Sequence, residues 1–211
     1  MMWRSRTSSW RYQLAAAVVV AWLFILGGCA STSGTLDRNF VRPGAEEWVL
    51  GKARYSDIVA KYGPPSDEHM LRGQTPPLKH VSYTFLRGEE PAIAPGIIPV
   101  RSIAFYFHND VLVAESFYST FRSDHTNFDE SKRSQIVKGK TKASDVVALL
   151  GRPASKSIDP LARSKERQAT YGYVFITVAD SILPTTTTKQ LVVVIGEDHV
   201  VTDSSFEMSS R

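Results

Sequence analysis

Cysteine is almost absent from this chain of 211 residues: Cys29 is its only one. A single thiol excludes an internal disulfide framework and a cluster of cysteine metal ligands, so the folded part must rest on its apolar core. Membrane-spanning length is lacking too. Residues 14–26 are an uncharged apolar run of thirteen, about 20 Å as a helix against about 30 Å of hydrocarbon. No Gly-x-Ser-x-Gly elbow occurs, which removes the usual serine nucleophile. Residues 139–141, GKT, imitate the end of a phosphate-binding loop, but Ser134 stands where that motif requires glycine. His69, His80, His108, His125 and His199 include no pair at the i, i+4 metal spacing. The expectation is a protein with no catalytic residue, no metal, no cofactor and no small-molecule substrate.

Net charge is small once the start of the chain is set aside. Three of the 25 Lys and Arg residues precede Cys29 and no acid does, leaving 22 basic against 21 acidic residues after it. A mature chain so nearly neutral offers no basic stripe for nucleic acid.

The first 28 residues read as a targeting signal: Arg4, Arg6 and Arg11 form a basic start, the apolar run follows, and Leu26-Gly27-Gly28 leads into Cys29. This stretch resembles the lipobox of bacterial lipoprotein precursors, in which the cysteine is acylated and becomes the mature N-terminus. The resemblance implies lipidation at Cys29 and a membrane partner held through several acyl chains, palmitate among them. Ala30-Ser31, with no Asp after the cysteine, implies an outer-membrane address facing the periplasm of a Gram-negative-type cell. Residues 29–44 then read as a tether, opening on the small polar run ASTSGTLD.

The folded part is duplicated. Residues 51–65, GKARYSDIVAKYGPP, and 139–153, GKTKASDVVALLGRP, share eight of fifteen positions, where ordinary composition gives roughly one. The same offset of 88, carried on without a gap, pairs Tyr83 with Tyr171, Ile103 with Leu191, Asp110 with Asp198, Val113 with Val201 and Ser116 with Ser204. The units are therefore 45–121 and 134–211, joined by a charged linker at 122–133.

Within each unit the period of the apolar residues sets the elements. Residues 45–50, AEEWVL, read as a short helix ended by Gly51, and residues 55–62 as a second helix ended by Gly63 and blocked by Pro64-Pro65. Thr141, or Ser56 and Ser144, are candidate caps, and Asp57 and Asp145 sit where a carboxylate favours a helix start. Three strands follow, at 81–86, 103–107 and 111–116, with counterparts at 169–175, 191–195 and 200–204. The expected fold is α+β: two tandem repeats of a helical hairpin packed on a three-stranded antiparallel sheet. The dense aromatics Phe105, Tyr106, Phe107, Phe117, Tyr118 and Phe121 cannot all face one way in alternating strands, so one set should pack between the units. The unequal connections at 87–99 and 180–188 are candidate binding loops.

At the repeated motif the chain resembles the BamE (SmpA/OmlA) family of outer-membrane lipoproteins. The residues that carry the resemblance are Gly139-Lys140-Thr141, Asp145-Val146, Leu150-Gly151, Pro153, Tyr171 and Tyr173, and in the first copy Gly51, Asp57-Ile58, Gly63, Pro65, Tyr83 and Phe85. Ala53 and Tyr62 depart from it. The resemblance implies a two-layer α+β unit and a non-enzymatic scaffold that binds an envelope protein, with a link to assembly of β-barrel outer-membrane proteins. Tandem copies of a similar fold also occur in secreted β-lactamase inhibitor proteins, which implies as the alternative an inhibitor-like or regulatory binder of an envelope enzyme.

Overall fold

The computed structural model of the protein describes residues 38–73, 75–86, 90–158, 169–178 and 186–210. The signal, Cys29 and the start of the tether lie outside the described residues, as do residues 87–89 and 180–185 of the two candidate loops. Each repeat opens on a tight turn. Gly51 and Gly139 adopt φ of 80° and 73°, and the next two amides of each copy donate to Val49 O and Val137 O at 3.0–3.1 Å. A side chain at either glycine would be strained, which is why the turn recurs as Gly-Lys.

One helix per copy follows: α1, Tyr55–Tyr62, and α2, Ala143–Leu150. The Asp57 carboxylate accepts the Arg54 amide at 2.8 Å and Asp145 accepts that of Lys142 at 3.0 Å, so the repeated aspartates satisfy free N–H groups at the helix start. Thr141 is not a cap; its Oγ1 accepts the Val137 amide at 2.8 Å, while Ser56 and Ser144 lie inside the helices. Gly63 (φ 76°, ψ −159°) and Gly151 (φ 80°, ψ −169°) end them in a backbone region open essentially to glycine alone.

The strands are β1 (Asp67–Met70), β2 (Lys79–Phe85), β3 (Arg101–His108), β4 (Val111–Ser119), β5 (Ser155–Ile158), β6 (Ala169–Val178), β7 (Thr186–Ile195) and β8 (Val201–Ser210). They form one eight-stranded antiparallel sheet in chain order. This overturns the expected helical hairpin on a three-stranded sheet, for three reasons. Residues 45–50 are turns rather than a helix, because six residues cannot offset the cost of helix nucleation without a buried stripe. Trp48 packs instead edge-on to Phe105 at 6.4 Å. Polar β1 and β5, DEHM and SKSI, carry no strand signal of their own and are extended by pairing with their neighbours. Finally, β4 pairs with β5 through Ala114↔Ser157, Glu115↔Lys156 and Ser116↔Ser155, which fuses the repeats edge to edge.

Pairing also corrects the gap-free alignment. Tyr83 OH donates to Gly63 O at 2.9 Å, and the residue that does the same for Gly151, at 3.0 Å, is Tyr173 rather than Tyr171. The β3–β4 turn has two residues, Asn109 and Asp110, both at positive φ, whereas the β7–β8 turn has three between Gly196 and Val200. Leu112 and Phe117 therefore match Val201 and Phe206.

Each helix buries its stripe on the same sheet face. Ile58 and Tyr62 meet Val81, Tyr83, Ile103, Phe105, Phe107, Leu112 and Phe117. Val146 and Leu150 meet Tyr173, Leu191, Val193, Ile195 and Val201. Phe128, from the stretch read as a linker, is buried in the second cluster, so that stretch belongs partly to the fold.

Candidate functional site

Several buried and half-buried polar residues converge where the repeats meet. Arg42, ahead of the first copy, donates from Nη2 to Pro153 O at 2.5 Å, and Arg152 returns the contact from Nη1 to Pro43 O. Lys156, on β5, donates to Ala45 O at 2.7 Å and stands 3.7 Å from the Glu115 carboxylate on β4. The Phe117 amide donates to Ala154 O at 2.7 Å, and the Arg42 guanidinium lies 5.0 Å from the Phe117 ring centre. The repeated proline thus presents its carbonyl to the other half, a contact its place in the motif does not reveal.

Charge in this seam is unbalanced: three cations surround one carboxylate. Burial, and then Arg152, lower the Arg42 pKa to about 10. Burial raises the Glu115 pKa, while Lys156, Arg152 and Arg42 pull it back. Arg42 Nε, Arg152 Nε, Glu115 Oε2 and Ser116 Oγ are buried without a hydrogen-bond partner, and they line a small cleft with Ile103 and Phe117. Such a cluster ties the halves together through charge-assisted hydrogen bonds.

The raised Glu115 pKa has a testable sign. Ionisation of this side chain opposes folding above its folded-state pKa, and the penalty disappears as pH falls below the unfolded carboxylate value. Glu115→Gln is therefore expected to raise the melting temperature at pH 7, with the gain shrinking to nothing below pH 4; melts across pH 4–8 measure it.

On the sheet face away from the helices, Tyr118 OH donates to the Ile176 carbonyl on β6, bridging β4 and β6 beyond the start of short β5. This hydrogen bond links the two units, but it is not the ring packing between units that the crowded β3–β4 hairpin was expected to make. Phe105, Phe107 and Phe117 face the first helix, and Phe121 stacks on Phe85 at 5.9 Å.

No family model matches the chain, and no curated protein matches its sequence. A solved structure of a protein from Streptococcus mutans, provisionally named a beta-lactamase inhibitor protein, superposes with a TM-score of 0.40 at 12% identity, over 74% of this chain and 82% of its own. A likeness at that level assigns neither family nor activity.

Of the residues singled out in the sequence, Cys29 lies outside the described residues. The described part of the 87–99 connection is pinned: Ile93 donates to Thr120 O at 2.7 Å, Arg122 to Pro91 O at 3.1 Å, and Ser123 to the Glu90 carboxylate at 2.6 Å. The histidines are where spacing along the chain misled. His69 and His80 are direct cross-strand partners on β1 and β2, and their rings lie 4.7 Å apart. Asp67 Oδ2 stands 2.8 Å from His69 Nδ1 and 3.3 Å from His80 Nδ1. Burial first, and then His69, lower the His80 pKa to about 4, against the pull of Asp67. An i, i+4 search cannot find a pair eleven residues apart that only strand register brings together.

Proposed function

We propose that this protein is a non-enzymatic outer-membrane lipoprotein, held through an acylated Cys29 and facing the periplasm, whose fused repeats form a rigid platform for another envelope protein. The observation that carries the reading is the coincidence, at the lone cysteine, of a basic start, an apolar run and small residues. Several acyl chains at Cys29 would give lasting attachment, where a single chain gives marginal binding. The form of the folded part adds support. The residues repeated between copies serve the fold, as helix starts, helix ends and turns, and the one sheet they build is clasped across its middle by Arg42, Arg152 and Lys156. Kinship with the BamE family is part of the same proposal and rests on the repeated motif alone.

The test is fractionation of the host envelope with Cys29→Ala alongside the wild type. The wild type is expected in the outer-membrane fraction and the variant, unacylated, outside it. A variant that stays membrane-bound with normal processing would end the lipoprotein reading. Mild-detergent capture of the lipidated protein, with Cys29→Ala as control, then identifies the partner, and recovery of β-barrel assembly components would place it in that machinery.

A further inference from the structure

We propose that Asp67, His69 and His80 form a site for a divalent transition metal of the zinc class, which clamps the edge strand β1 onto β2. One donor atom from each of the three residues lies within 4.8 Å of the others. Donors held about 2.0–2.2 Å from a tetrahedral zinc stand about 3.3 Å apart. The separation of Asp67 Oδ2 from His80 Nδ1, 3.3 Å, matches that spacing, and that from His69 Nδ1, 2.8 Å, is a hydrogen bond that an entering ion would open by about half an ångström.

His80 supplies the observation that points to a ligand. Its side chain is 8% exposed, and its Nδ1 is buried with no full hydrogen bond, the Asp67 oxygen standing 3.3 Å away. A buried ring nitrogen left unmatched is rare without a compensating contact. A metal ion in front of it supplies one. The other two ligands are about half exposed, at 47% for the His69 side chain and 55% for Asp67, so a hydrated ion can enter and keep water in its remaining position. Two imidazole nitrogens and one carboxylate suit zinc, copper or nickel, and are the wrong set for calcium or magnesium, which take oxygen donors.

Comparison of the two repeats sharpens the case. Strand register places Ser155, Ser157 and Thr170 in the second copy where the first has Asp67, His69 and His80. Those hydroxyls are poor ligands for such a metal. Strand β5, which bears the two serines, is held on both sides by β4 and β6, whereas β1 has four residues and, among the described residues, β2 as its one neighbour. The donor set is present in the copy whose short outer strand lacks a second neighbour among the described residues.

The experiment uses the full-length protein in detergent, stripped with chelator and titrated with zinc chloride against a chromophoric competitor, with melting temperature and the cobalt(II) absorption spectrum as further readouts. Wild type is expected to bind one zinc per chain, to melt higher with it, and to give cobalt bands of a four-coordinate site. His69→Ala and Asp67→Asn, both at exposed positions, are expected to keep the metal-free circular dichroism and to lose affinity at least about tenfold. Calcium and magnesium are expected to change nothing. Wild type that binds no zinc, or affinity that both variants retain because the ion sits on His108, His125 or His199, would overturn the proposal.

Discussion

Replacing Arg101 with leucine is expected to destabilise the fold by about 3–5 kcal/mol, the usual result when one member of a buried ion pair is removed. The Arg101 side chain, at the start of β3, is 6% exposed, and its Nε lies 2.7 Å from the Asp124 carboxylate. Its Nη1 donates to Asn39 Oδ1 at 2.7 Å and to Phe40 O at 2.9 Å, and the guanidinium sits 4.9 Å from the centre of the Phe121 ring. One side chain therefore binds the segment before the first repeat, the chain leaving β4 and the sheet itself. Its loss strands the Asp124 carboxylate and frees the 38–40 segment, whose Phe40 packs on Tyr62 at 6.2 Å. A double-mutant cycle with Asp124→Asn, read by urea denaturation, separates the pair from the rest. The double variant should cost clearly less than the sum of the single ones, because no lone charge remains buried. Strict additivity would show that the two groups do not act as a pair.

Ile58→Ala should cost about 2–5 kcal/mol, since the side chain is fully buried between α1 and the sheet and the surroundings cannot collapse around the cavity. Against a total of about 5–15 kcal/mol that is a large share of stability. The pairing of β4 with β5 and the reciprocal arginine contacts make the second half sense the loss. Unfolding is expected to remain one transition, shifted as a whole. Trp48 is the sole tryptophan after Cys29 and lies in the first core, so its fluorescence reports that half while far-ultraviolet circular dichroism reports both. Coincident midpoints before and after the substitution would show one cooperative unit. A fluorescence transition that moves alone would show that the repeats unfold separately.

The sequence by itself determined what depends on local geometry and on period. The repeated fifteen-residue motif located both helices, with residues 55–62 matching α1 end to end, because glycine past the last apolar turn and aspartate in the first turn are local demands of any helix. Alternating aromatic and β-branched residues located the longer strands for a similar reason. The lone cysteine and the run before it determined the proposed address, since such a signal is read as a linear string.

Strand pairing settled everything else. Polar DEHM and SKSI become strands because neighbouring chains offer them hydrogen bonds, and AEEWVL is held as turns because Trp48 finds its place against Phe105. The fusion of two small sheets into one rests on Glu115, Lys156 and their neighbours, whose pairing spans some forty residues of chain. Register also joined His69 to His80 and exchanged Tyr171 for Tyr173 as the partner of the helix-ending glycine. Contacts of this kind form between residues far apart in the chain, where spacing carries no trace of them, so only the tertiary structure could place them.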